Sequence, residues 1–183
     1  MVNEAVDFLE KTPLQLLPPP TRFEGTGVYA LYYCGGFALY SSIVAADPNE
    51  CALPIYVGKA VPEGWRTSRT TSSASDELYR RLNEHARSIM VAEHLRITDF
   101  RCRFMLLVDA ESQLIGTIEA SLIRKYSPIW NCLIDGFGNH DPGSDRYNQA
   151  PSEWDVLHPG RSWVSKLTGQ PPDVKSIRAK LRP

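Results

Sequence analysis

The residue pattern points to an α+β domain: a small mixed or antiparallel β-sheet flanked by helices, with extensions at both ends. Three observations lead there. Two short β-branched and aromatic runs, Gly27 to Tyr33 and Pro54 to Gly58, are bounded by glycine or proline. A third run, residues 100 to 108, sets Phe100, Cys102, Phe104, Leu106 and Val108 against Arg101, Arg103 and Met105, the alternation of a half-buried strand. Two further stretches carry apolar residues at helical spacing. The resulting order is strand, strand, helix, strand, helix, which packs as a sheet with helices against it.

Taken in order, residues 2 to 11 place Val2, Ala5, Val6 and Leu9 near one helical face, an amphipathic arm. Pro18, Pro19 and Pro20 end it and make a stiff extended connector. The first strand stops at Gly35-Gly36, and the segment through Asp47-Pro48-Asn49 reads as an irregular insertion before the second strand. Residues 61 to 75, rich in Ser and Thr and holding Gly64, form a loop. A helix starts near Ser73 or Ser75, with Asp76 and Glu77 in its first turn and Leu78, Leu82, Ala86 and Ile89 as its buried stripe. After the third strand a second helix runs from about Glu111 to Tyr126 and stops before Pro128. Gly136, Gly138, Pro142 and Gly143 mark a long loop, a short helical piece spans Ser162 to Leu167, and the Pro-rich tail reads as partly disordered. The division is an arm and connector over 1–24, a core over 25–132 and an extension over 133–183.

The chain has 183 residues, a net charge of -1 and 43% hydrophobic residues, ordinary for a globular protein. No run is long and apolar enough for a membrane span. Glu4 and Asp7 stand where a secretory signal needs a basic and then an apolar stretch, so a cytoplasmic location is the expectation. Cys34, Cys51, Cys102 and Cys132 show no CxxC spacing, which speaks against a zinc site and leaves them as reduced, small core residues. The charge is neutral evidence on nucleic acid: Lys59, Arg66, Arg69, Arg80, Arg81 and Arg87 cluster in sequence, but Asp76, Glu77 and Glu84 interleave with them.

Some residues stand where folding alone does not require them. On the second helix Leu114, Ile115, Ile118, Leu122 and Tyr126 form the apolar arc, and Glu119 falls on its flank. A carboxylate there reaches solvent or an arginine, or else binds a cation. On the first helix Arg81 and His85 lie one turn apart beside the buried stripe, either as a surface arginine and a half-packed histidine or as a phosphate clamp and proton carrier. Tyr29 and Tyr56 each sit near glycine in a short strand, which β propensity alone permits, and Gly27 and Gly58 mark bulges or close backbone approach.

Taken together, Gly27-Val28-Tyr29, Tyr56-Val57-Gly58, Arg81, His85, Glu119 and Asn131 resemble the GIY-YIG nuclease superfamily over roughly residues 25 to 132. Val replaces Ile in both motifs, and the longer spacer between them is similar to the restriction-enzyme branch. Leu53 to Pro62, Trp130-Asn131, Asp135 to His140, Trp154-Asp155-Val156 and His158-Pro159-Gly160-Arg161 further resemble the Type II restriction endonucleases of this fold that recognise the palindrome CCGCGG.

The resemblance implies that Glu119 holds one divalent cation, magnesium with manganese as a substitute, against the scissile phosphate. Tyr29 would lie next to the attacking water as base or relay, with Lys59 nearby to lower its pKa. Tyr56 and Arg81 would position the phosphate, and Asn131 would brace the site. His85 stands near the nucleophile, so the base is either Tyr29 or His85. A palindromic double-stranded DNA target implies a homodimer. Arg66 and Arg69 in the first loop, and Asn139, His140 and Arg146 in the later one, are candidates for DNA contacts. A companion DNA methyltransferase accompanies such enzymes. A structure-specific repair nuclease of the same fold, or a DNA-binding module without catalysis, are the alternatives.

Overall fold

The structure is a computed structural model that describes residues 2–44, 51, 53–61, 75–107 and 109–182. Strands β1 (Gln15–Leu16), β2 (Gly27–Tyr33), β3 (Pro54–Ala60) and β4 (Phe100–Leu106) form one antiparallel sheet in the order β1-β4-β2-β3. Helix α1 spans Val2–Lys11, α2 Glu77–Val91, α3 Ile115–Tyr126, α4 Ile129–Cys132, α5 Glu153–Leu157 and α6 Val174–Lys180. The α+β class and the central order β2, β3, α2, β4, α3 follow the reading from sequence. None of the described helices is long and apolar enough to cross a membrane.

Both faces of the sheet are covered. Tyr29, Leu31 and Tyr33 of β2 join Leu78, Leu82, Ala86 and Ile89 of α2 in one core. Val28, Ala30 and Tyr32 face the other way and pack with Val6 and Leu9 of α1 and Ile115, Ile118 and Leu122 of α3. Every residue of β2 is therefore buried. The double cover also corrects the expected pattern of β4. Phe100 and Cys102 lie in the first core, but Met105 is buried in the second while Leu106 is exposed at the strand end. Val108 lies outside the described residues.

Other departures have local causes. The connector before β2 is not merely extended: Gln15 and Leu16 pair with Cys102 and Arg101, adding an edge strand too short for a propensity signal. Helix α3 begins at Ile115, and a tighter 3-10 segment, Asp109–Leu114, takes the place of its expected first turn. The tail is ordered by packing, since Ile177 of α6 and Leu181 are buried in the first core. So are Ile134, Phe137, Trp154 and Leu157, which brings residues beyond 132 into the same core as Tyr29.

Cys34 and Cys51 form a disulfide, against the expectation of free thiols, whereas Cys102 and Cys132 are free. The cause is register, not spacing in sequence. Tyr32 pairs with Pro54, so the residues just beyond those ends, Cys34 and Cys51, come to a Cα separation of 6.2 Å. The insertion around Asp47-Pro48-Asn49, and the loop bearing Arg66 and Arg69, lie outside the described residues.

Candidate active site

Pairing between β2 and β3 builds the first part of the site. Tyr29 stands opposite Gly58 and Leu31 opposite Tyr56, so the two tyrosines share the face covered by α2. Their ring centroids are 6.3 Å apart. The two motif glycines are needed for close approach. A Cβ on Gly58 would lie 2.4 Å from the Tyr29 hydroxyl oxygen, and one on Gly27 would lie 1.9 Å from the Met105 carbonyl oxygen of β4.

Helix α2 delivers His85 and Arg81 to the same face. The Tyr29 hydroxyl and His85 Nε2 are 2.6 Å apart, in a site that leaves Tyr29 0% and His85 2% exposed. Burial, followed by the neighbouring Tyr56, pushes the Tyr29 hydroxyl well above its ordinary range, with Arg81 pulling the other way. Burial, then the positive charge of Arg81, holds His85 well below its ordinary range. A protonated Tyr29 therefore donates to a neutral His85. Arg81 itself donates to Glu84 Oε2 at 3.0 Å and to the Gly138 carbonyl at 3.0 Å, and it also meets His140 Nε2.

The opposite face carries the second part. Lys59 follows Gly58 on β3 and so points away from Tyr29, toward α3, where its ammonium lies 2.6 Å from Glu119 Oε2. The cation acting on the Tyr29 hydroxyl is Arg81. The Glu119 carboxylate still lies close enough to raise both tyrosine hydroxyls electrostatically. The two groups thus flank the edge strand β3. Asn131 of α4 fastens that edge, accepting from the Val57 amide at 2.8 Å and donating to the Val57 carbonyl at 2.9 Å. Those backbone groups lie between Tyr56 and Gly58 and, among the described residues, have no strand neighbour on that side.

Tyr29, Tyr56, Arg81 and His85 are therefore brought together, Lys59 pairs with Glu119, and Asn131 braces the strand between. His140 joins Arg81. Asn139 and Arg146 are exposed and line an open groove with His140, Gln149 and Trp163. On the outer face of α2, Arg80 pairs with Glu77 at 2.9 Å and Arg22 with Asp76 at 2.7 Å, the ion-paired alternative for those charges.

A family model described as the Eco29kI GIY-YIG domain matches residues 21–182. The chain belongs to this family. No curated protein matches it. Within the Eco29kI GIY-YIG domain, a restriction-enzyme type of GIY-YIG domain, the motif residues described above lie on β2 and β3, and the match runs well past residue 132.

That length fits two contributors to the site which reasoning from sequence did not assign. Phe137 stacks on His85, with centroids 4.6 Å apart and an interplanar angle of 19°, and also contacts Tyr56 edge-on at 4.9 Å. Gly138 supplies the carbonyl that Arg81 binds. The available signal was an aromatic residue between two glycines, Gly136-Phe137-Gly138, within a stretch that resembles the restriction-enzyme branch.

Proposed function

We propose that the chain is a Type II site-specific endonuclease that hydrolyses phosphodiester bonds of double-stranded DNA at a GC-rich palindrome, CCGCGG, as a homodimer. The observation that carries this reading is the buried Tyr29–His85 hydrogen bond beside Arg81, with Glu119 across the edge strand. That is a proton acceptor chain, a phosphate-binding cation and a cation-binding carboxylate around one strand.

Glu119 suits magnesium. Its carboxylate already accepts a cationic partner, the Lys59 ammonium, and is partly open to solvent, with 19% of the side chain exposed. Among the described residues no three His, Cys, Asp or Glu side chains cluster into a closed cage. Magnesium keeps several waters and takes one or two carboxylates together with substrate phosphate oxygens. When bound by Glu119 it supplies charge neutralisation at the phosphate, and manganese is the expected substitute.

The chain's own groups do the rest. Arg81 binds the phosphate, exchanging the Gly138 and His140 partners for phosphate oxygens in a charge-assisted contact. Tyr56, beside it, orients the same group. A tyrosine with a raised pKa is a poor base by itself. It is an effective relay, however, when its proton has a destination: the Tyr29 oxygen takes a proton from the attacking water while its own proton moves to His85 Nε2. The water oxygen bonds to phosphorus, and the bond to the leaving sugar oxygen breaks, that oxygen keeping the electron pair and taking a proton from solvent. Burial, and after it the Arg81 charge, keeps His85 from accepting a proton in the free protein, and the negative phosphate offsets the second of these. Asn139, His140 and Arg146, placed along one groove, are candidates for base and backbone contacts.

Digestion of long mixed-sequence DNA with magnesium or with EDTA, followed by sequencing of the fragment ends, tests this. Magnesium-dependent ends sharing one palindrome are expected. Scattered or structure-dependent ends would contradict site specificity and favour a repair nuclease of the same fold.

A further inference from the structure

Arg161 has no role in the chemistry above, yet its side chain donates four hydrogen bonds to described residues. It is 6% exposed. Its Nε lies 2.6 Å from Asp155 Oδ1. One terminal nitrogen donates to the carbonyls of Phe137 at 3.2 Å and Asn139 at 3.0 Å, and the other donates to Gly136 at 2.9 Å. Its guanidinium carbon lies 4.7 Å from the Trp154 ring centroid and 4.9 Å from that of Trp163. Asp155 is buried as well, and Ser152 donates to its second oxygen at 2.6 Å.

Burial of an arginine–aspartate pair is poor value for stability alone, because desolvation cancels most of the attraction and an apolar pair often does as well. Here the fork is spent on geometry. Lysine, with a point charge and no planar fork, cannot hold three carbonyls of one loop and a carboxylate at once. The loop it holds is the one that lays Phe137 on His85 and turns the Gly138 carbonyl to Arg81.

We propose that Arg161 is a positioning residue for the active site: by gripping the carbonyls of Gly136, Phe137 and Asn139 it fixes the loop that sets the His85 ring and the Arg81 guanidinium. The geometric half of this stands on the contacts; its consequence for rate rests on the nuclease reading above.

The test uses the full chain carrying Arg161→Lys, with two readouts. In the first, NMR follows the carbon-bound ring protons of His85, whose shifts carry the ring current of the stacked Phe137; a Phe137→Leu variant calibrates that contribution. In the second, single-turnover cleavage is measured at saturating DNA. The expected result is a folded variant whose His85 signals move toward those of Phe137→Leu. Its rate at saturation should fall about 100-fold, the scale of a displacement near one ångström. A folded variant with wild-type His85 signals and wild-type rate would overturn the proposal and leave Arg161 as core packing. Moved signals in a protein whose wild type cuts no DNA would keep the positioning role and remove the nuclease reading. Should Arg161→Lys not fold, Phe137→Leu alone decides: an unchanged saturating rate would sink the coupling of this loop to the chemistry.

Discussion

Tyr29 and His85 are the centre of the proposed site at the level of single residues, because burial holds each in the protonation state the proposed chemistry uses. Burial keeps the tyrosine protonated and the histidine neutral, so the hydrogen lies between an oxygen that gives and a nitrogen that accepts. Replacing Tyr29 with Phe keeps the ring and removes the donor. His85 Nε2 is then left buried without a partner, at a cost of about 1–3 kcal/mol in stability. The single-turnover rate should fall by about 10²–10⁴, the usual worth of a positioned proton-transfer group. Denaturant unfolding and rapid-quench cleavage measure the two effects separately, and a wild-type rate in folded Tyr29→Phe would remove the relay. Much of this residue set was legible in the sequence through the family resemblance, since the glycines near the two tyrosines and the Arg81–His85 spacing are local features that each also fit an ordinary fold. The partner of Lys59 was not. Which face of β3 it takes depends on pairing with β2, and that pairing puts it on Glu119, away from Tyr29.

Among the elements, strand β3 matters most, since site residues lie on both of its faces and it forms the edge of the sheet. Its outward backbone groups at Val57 are taken by Asn131, which acts as a one-residue strand neighbour. Asn131→Ala should destabilise the protein by about 1–3 kcal/mol, because two hydrogen bonds are lost at a partly buried edge. The Val57 amide should show the largest rise in hydrogen exchange, and an exchange rate there equal to wild type would show that the clasp is not made in solution. The long elements β2, β3, α2, β4 and α3 were legible because their periodicity is their own. The short ones were not: β1, α4, α5 and α6 hold few residues each and draw their order from contacts such as Trp154, Ile177 and Leu181 in the core. The Cys34–Cys51 bridge escaped for the same reason, as strand register and not sequence spacing brings the two residues together.

For the molecule as a whole, the segment beyond residue 132 is tied to the core by a buried network. The Tyr40 hydroxyl meets His158 Nε2 at 2.5 Å and accepts from Trp130 Nε1 at 2.9 Å, while His158 Nδ1 faces the Glu93 carbonyl at 3.2 Å. Burial lowers the His158 pKa from 6.5 to about 4. The unfolded chain therefore binds a proton across this window that the folded chain refuses. The contribution of His158 is fully present above pH 6.5 and is lost as pH falls from there toward about 4, for a total of about 3 kcal/mol. Buried His85 acts in the same direction. Urea unfolding between pH 7 and pH 4 should show this decline, and a His158→Gln variant should show a shallower one (pH 7 being about where histidine is neutral). Equal slopes in the two proteins would contradict the assignment.

The whole nuclease reading converges on Glu119, the carboxylate across β3 from Tyr29 and His85, whose ion-pair partner Lys59 is exposed, so that its removal costs about 0–1 kcal/mol of stability. Cleavage of a duplex bearing CCGCGG by wild type and by Glu119→Ala, side by side with magnesium, puts that reading to its most direct test. Wild type should cut both strands, and the folded variant should be slower by at least about a thousandfold, the scale of losing a cation that stabilises the transition state. Equal cutting by the two proteins would contradict the assignment of this site as the catalytic centre.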